Sequence, residues 1–215
     1  MGARVLSVNL ADVRTVCHRG RDVPTGIWKL PAEGRVAALH EGLDGDVQAD
    51  RKVHGGPDKA VYAYSREDYA WWEGELGREL EPGLFGENLT TEGVDASGAL
   101  VGERWRVGSA LLEVAGPRLP CFKLGAKMGD PRFLKRFAKA LRPGAYLRVI
   151  EEGDVGAGDS VEVVDRPGHE VSVTLVARAG LGEAELAPRL LAAPRLPPEW
   201  REWAEQRSAR QGCKR

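Results

Sequence analysis

Cysteine is scarce in this 215-residue chain: Cys17, Cys121 and Cys213 are an odd number, and no C-x-x-C spacing occurs. That scarcity excludes an obvious disulfide framework, a zinc ribbon or an iron–sulfur ligand set. Histidine is nearly as sparse. His18, His40, His54 and His169 are scattered without H-x₃₋₅-H spacing, which argues against zinc. An excess of either charge is also lacking. With a formal net charge of −1, the whole molecule is no electrostatic magnet for nucleic acid, and anion binding must come from local clustering. No run approaches the roughly 18 apolar residues of a membrane span. The opening MGARVLSVNLADVRTV has no basic region followed by an apolar one, so no signal peptide is read and a cytoplasmic protein is expected. Three catalytic signatures are missing as well: the G-x-x-x-x-G-K-[ST] phosphate loop, the G-x-G-x-x-G dinucleotide fingerprint after a strand, and the G-x-S-x-G nucleophile elbow.

What is present is ordinary for a soluble globular chain, with 42% hydrophobic and 29% charged residues. Short β-rich runs broken by glycine dominate the first three quarters: 4–10, 59–65, 104–114, 145–153 and 160–165. This pattern predicts a barrel or sandwich rather than a parallel sheet with crossover helices. Two helices interrupt it. One follows Ser65, whose S-x-x-D spacing to Asp68 is a capping signal, and puts Tyr69, Trp72 and Leu76 on one face. The other follows Asp130-Pro131, with Leu134, Phe137, Ala138 and Leu141 at helical spacing before Pro143-Gly144. After DRPGHE (165–170) three short helical patterns follow. The expected organisation is a mainly β domain over 1–166 and a small all-α domain with its tail over 167–215, too small for a large core of its own and docked on the first.

Chemistry concentrates in four stretches. In PRLPCFKL (117–124), Pro117 and Pro120 fix their own φ and bias the residue before each of them, so the loop is pre-shaped up to Cys121. Arg118, Lys123 and Lys127 lie close, and nearby cations favour a thiolate, as would a helix opening at Phe122–Met128. The competing reading is a small buried hydrophobe. In ADRKVHGGPDKAVYAY (49–64), Gly55-Gly56-Pro57-Asp58 is turn chemistry whose N–H groups can form an anion-binding nest, ringed by Arg51, Lys52, His54 and Lys59. Because Gly56 precedes Pro57, Gly55 is the expected left-handed position. A plain tight connection explains the same residues. In GLFGENLTTEG (83–93), Asn88 suits the edge of a heterocycle or caps its own turn. In TGIWKLP (25–31), Lys29 is one lysine after a β-like run and means little alone.

In this order and spacing, TGIWKLP, DVQADRKVHGGPDKAVYAY, GLFGENLTTEG and PRLPCFKL resemble the MOSC domain proteins, named for the C-terminus of molybdenum cofactor sulfurase, and specifically their bacterial YiiM type. The likeness runs from about residue 3 to about 210. It implies a β-barrel MOSC domain with a C-terminal three-helix domain, binding the molybdenum cofactor. Cys121 matches the family's metal-ligating cysteine and would be both ligand and catalytic residue. Lys29, His54, Gly55, Gly56, Lys59, Asn88, Arg118 and Lys123 would cradle the cofactor. The implied activity is reduction of small N-hydroxylated compounds such as 6-N-hydroxylaminopurine, a detoxification of base analogues. Electrons would come from a separate reductase, since the cysteines for an iron–sulfur donor are missing. A homodimer is left open. Two alternatives stand beside this one: a sulfur carrier using a Cys121 persulfide, and a non-catalytic module that binds nucleic acid or a partner.

Overall fold

The computed structural model describes residues 2–49 and 55–212. Its frame is one eight-stranded sheet in the order β13 (Val161–Asp165), β9 (Arg104–Val107), β10 (Ala110–Pro117), β11 (Ala145–Glu151), β7 (Val61–Ser65), β8 (Leu89–Glu92), β1 (Arg4–Leu10) and β4 (Leu30–Pro31). All pairs are antiparallel except β7–β8, which is parallel and linked through the helix α1 (Arg66–Leu76). One crossover helix thus stands within an otherwise antiparallel architecture. The ladder itself is open rather than a ring of paired strands. Its ends are tied by an Arg4–Ser160 bridge and three backbone hydrogen bonds joining Ala3 and Val5 to residues 158–161.

Period-2 alternation explains how this sheet builds two cores. On β7, Val61 and Ala63 enter an aliphatic interior with Val5, Leu112 and Leu147, while Tyr62 and Tyr64 face an aromatic layer with Trp72, Phe85 and Phe137. Each large side chain so buried contributes about 1.5–3 kcal/mol. The polar handles of the aromatics are satisfied: Trp72 Nε1 donates to Tyr64 Oη at 2.8 Å, and Tyr64 Oη donates to the Arg142 carbonyl at 3.0 Å.

Helix α1 begins where expected, with Ser65 Oγ accepting from the Asp68 amide at 3.2 Å. The helix α2 (Phe122–Met128) forms directly after Cys121. The helix α3 spans Phe133–Ala140, and Asp130 caps the turn ahead of it by accepting from the Arg132 amide. The stretch 104–114, read as one strand, is a hairpin. Gly108 turns it at φ +56, where a Cβ would lie 2.3 Å from the Asp154 carbonyl oxygen. A second hairpin, β2 (Arg14–His18) and β3 (Arg21–Thr25), went unread because its strands are polar. A third sheet pairs β5 (Arg35–Leu39) with β6 (Gly42–Leu43) and β12 (Gly153–Gly156).

The C-terminal helices α4 (Val173–Leu181), α5 (Ala187–Leu190) and α6 (Pro198–Gly212) share a third core with Val101 and Val171. They are joined to the sheet side by a Leu100–Ser172 bridge and by the Val173 amide donating to the Ala99 carbonyl. Among the described residues, no helix is long and apolar enough to cross a membrane.

Candidate cofactor-binding site

β10 delivers its C-terminal end, Pro117, to a loop whose Arg118 and Cys121 line an open-mouthed cleft. Three other loops complete the walls: Thr25–Lys29, Asp46–Ala49 and the turn containing Gly86 and Asn88. Tyr62 of β7 and Tyr146 of β11 form part of the lining. Gly86 is required here for steric reasons. At φ +77, a Cβ would stand 2.7 Å from Ile27 Cγ1 and 3.0 Å from Arg118 Nη1. Below it, the fully buried Glu87 pins the loop, its Oε1 accepting from the Gly83 amide, Tyr69 Oη and Thr90 Oγ1. Burial pushes the Glu87 carboxyl above the usual carboxylate range.

Arg118 is the dominant charge. It is only 6% exposed, lies 5.1 Å from the centroid of the Tyr62 ring, and donates through Nη1 to the Phe85 carbonyl. Desolvation opposes its charge, yet neighbouring Tyr146, Tyr62 and Cys121 raise its pKa, and its side chain hydrogen-bonds that of Cys121. Its Nε is buried without a protein partner, an orphaned donor of the kind an anionic ligand satisfies. Lys123 is 5% exposed, and its Nζ lies 5.9 Å from the Phe122 ring centroid. Lys127 projects its ammonium onto the carbonyls of Ile27 (2.8 Å) and Gly83, and burial draws its pKa down to about 7.

Cys121, Lys29, Lys59, Asn88, Arg118 and Lys123 all line this one cleft. Lys29, Lys59 and Asn88 are already paired within the protein, Lys59 through its Nζ to Glu199 Oε1 at 2.9 Å. Both Asp46 carboxylate oxygens hold the Lys29 ammonium, and burial lowers the Lys29 pKa against Asp46's pull. Asn88 accepts from the Tyr62 amide and donates to Asp46 Oδ2 at 2.8 Å, so it ties strands together through both ends of its amide. Its own turn is not what it caps. Neither Gly55 nor Gly56 is among the described lining residues. Gly56 takes φ +90 with ψ 169, against the expectation that the following proline would keep it in ordinary extended backbone. The proline constrains ψ, which is extended as required, while a glycine's φ stays open to positive values. The Gly56 amide donates to Gln48 Oε1 at 3.2 Å. His54 lies outside the described residues, as does Cys213. Cys17 is exposed on the β2–β3 hairpin.

Sequence reasoning missed Asp46, Gln48, Tyr62 and Tyr146 as site residues. Asp46 and Gln48 sit in a stretch that reads as plain turn, and the two tyrosines read only as strand. Among the described residues, no group of three or more His, Cys, Asp or Glu could hold a metal ion. An organic cofactor that brings its own metal ligands is compatible with this set of described residues. One thiol beside a buried guanidinium with an unpartnered donor fits such a group.

The sheet and its cysteine-lined cleft narrow the class of protein, and comparison with known proteins makes the class specific. The MOSC domain profile matches residues 50–162. The chain belongs to the MOSC domain family. It is 38% identical over 200 residues to the uncharacterized protein YflK of Bacillus subtilis (strain 168), covering 92% of this chain and 90% of that one. It is 34% identical over 163 residues to a protein of Gibberella moniliformis named Reductase, covering 74% of this chain and 29% of that one. The crystal structure of YiiM from Geobacillus stearothermophilus aligns with a TM-score of 0.79 at 30% identity, covering 95% of this chain and 98% of that one.

Proposed function

We propose that the protein binds the molybdenum cofactor on this MOSC scaffold, with Cys121 as the protein ligand to the metal, and reduces small N-hydroxylated molecules in the cytoplasm. The observation that carries the reading is Cys121 hydrogen-bonded to a buried Arg118 whose Nε has no protein partner, at the wall of an open cleft. A soft thiolate suits the metal, and a guanidinium donating to that sulfur stabilises its negative charge. Lys59 and Lys123 add cationic charge for the cofactor's anionic end. When bound, the cofactor supplies the two-electron chemistry that removes oxygen from an N–OH group. The protein's own part is binding, orientation and protons. Tyr146 lines the same cleft, and burial raises its pKa further above neutrality, so its Oη carries a proton. Lys29, Asp46 and Asn88 hold the walls in register.

Electrons come from a separate reductase in this reading, and the resemblance to a protein named Reductase supports the redox assignment. The test is reduction of 6-N-hydroxylaminopurine to adenine by protein purified from a cofactor-producing host, with dithionite as electron source. Turnover dependent on bound molybdenum is expected. Molybdenum-loaded protein that leaves the substrate unchanged would contradict the reductase assignment.

A further inference from the structure

Helices α1 and α3 press aromatics into one layer, Trp72 from the first and Phe133 and Phe137 from the second. They lie side by side and run in opposite directions. Arg142, just past the end of α3, reaches Asp68 and the Trp71 ring near the start of α1, whereas Arg136 donates to the Glu75 carbonyl at 3.2 Å near its end. Their solvent faces carry opposite charge. With Phe133 and Phe137 turned inward, Arg132, Lys135, Arg136 and Lys139 fall on the exposed side of α3 at i, i+3, i+4 and i+7. Like charges at these spacings repel, and α3 contains no acid to relieve them. Arg132 and Arg136 meet Asp130 and Glu75 at 3.2 and 3.9 Å, but among the described residues no ion pair includes Lys135 or Lys139. The exposed stripe of α1 is Glu67, Trp71 and Glu75, beside Ala70 and Gly74. Two of its features are unexplained within one chain. Trp71 is 37% exposed next to a fully buried Trp72. Gly74 sits mid-helix, where glycine is unfavourable, yet a Cβ there would meet nothing within 4 Å.

We infer that this face docks a second copy of the chain, with the two-fold axis along the seam between α1 and α3. Rotation about that line lays each copy's α1 over its partner's α3, so acid faces base in both halves. An axis across the helices would instead set like on like. The contacts within one chain fix the levels: Arg136 stands level with Glu75, and Arg142 with Asp68 and Trp71. Lys135 therefore meets the partner's Glu75, and Lys139 meets the partner's Trp71 and the partner's Glu67. Trp71 is the aromatic anchor, a residue type that concentrates binding energy at interface centres. Gly74 leaves room for the opposing helix to approach. A long polyanion on α3 would run beside the carboxylates of Glu67 and Glu75, which favours a partner bearing both signs. The interface also backs the helix that Cys121 caps, since α2 packs closely on this unit: a Cβ on Gly125 would stand 3.4 Å from Pro131 Cα and 3.5 Å from Leu134 Cγ.

The test is the solution mass of the full-length protein by sedimentation velocity at micromolar concentration and low salt. Wild type is expected at twice the 23.4 kDa chain mass, moving toward monomer as salt rises. Lys135→Glu/Lys139→Glu sets acid on acid in both halves, and Glu67→Lys/Glu75→Lys sets base on base, so each alone is expected to be monomeric. An equimolar mixture of the two restores opposite charge on both sides of the axis and should return the dimer. Gly74→Gln adds bulk at the seam with a better helix former, which covers the case of a charge-reversed variant failing to fold. It should weaken association about tenfold or more while its circular dichroism stays at the wild-type level. A monomeric wild type, charge-reversed variants that remain dimeric, a mixture that stays monomeric, or undiminished association of folded Gly74→Gln would overturn the interface. A monomeric wild type that shifts a DNA duplex in a salt-dependent way would assign the α3 cations to nucleic acid instead.

Discussion

Replacing Asp46 by asparagine keeps the side chain's shape and removes the charge that holds Lys29. The two side chains are 6% and 7% exposed respectively, and the ammonium contacts both carboxylate oxygens. Asparagine can still accept from the Ala11 amide, as Asp46 Oδ1 does at 2.9 Å. Its amide nitrogen, however, would face either the Lys29 ammonium or the Asn88 Nδ2 now bonded to Asp46 Oδ2, so donor would meet donor. Breaking a buried pair by removing one partner costs about 3–5 kcal/mol, because the remaining charge is left uncompensated. Against a typical total of about 5–15 kcal/mol, that is a large share. Lys29→Met should cost a similar amount by stranding Asp46. The double variant Lys29→Met/Asp46→Asn should cost clearly less than the two together, giving a coupling of about 2–3 kcal/mol. Urea denaturation of the four proteins, with slopes compared for two-state behaviour, measures it. A coupling below about 0.5 kcal/mol is what a solvated surface pair gives. It would refute the buried structural role and return Lys29 to the set of cations available to a ligand.

Three further outcomes follow from the same geometry. Lys127 has a folded pKa near 7 against an ordinary 10.5, so between those values the unfolded chain binds more protons and stability rises with pH. The wild-type slope between pH 7.5 and 9.5, below the tyrosine range, should exceed that of Lys127→Met by up to about 1.4 kcal/mol per pH unit; equal slopes would show that the ammonium is solvated. Gly86→Ala forces a Cβ onto Ile27 and Arg118 at a positive φ and should cost about 2 kcal/mol or more, with loss of bound molybdenum; a wild-type melting temperature would contradict the close approach. Gly56→Ala meets nothing within 4 Å and bears only backbone strain, so it should lower stability by about 1–2 kcal/mol while metal content stays unchanged. Lost metal at wild-type stability would revive the anion nest at this turn.

What could be read from the sequence was what local chemistry determines. Ser65 and Asp68 announce α1 because a capping hydroxyl acts three residues away, and the prolines around Arg118 and Cys121 shape a loop by their own rings. The cleft's membership was legible as four loaded loops in a fixed order, through the family they resemble. Asp46 was not, since its meaning comes from Lys29, 17 positions earlier, and Asn88, 42 positions later. Asn88 reads as an edge reader or a turn cap until Tyr62 and Asp46 are seen to engage both ends of its amide. The β9–β10 hairpin hid inside one apolar run because Gly108-Ser109 is a weak turn signal. The parallel β7–β8 pairing depends on α1 crossing over, which no local pattern specifies.

The most direct measurement is bound molybdenum, by mass spectrometry, in wild type and Cys121→Ser purified side by side from a cofactor-producing host. Cys17→Ser, on the exposed hairpin, serves as the control for thiol loss in general. Metal near one per chain in wild type and in Cys17→Ser, with loss in a Cys121→Ser protein that melts normally, is the expected result. Wild-type metal content in folded Cys121→Ser would contradict the assignment of this thiolate as the ligand.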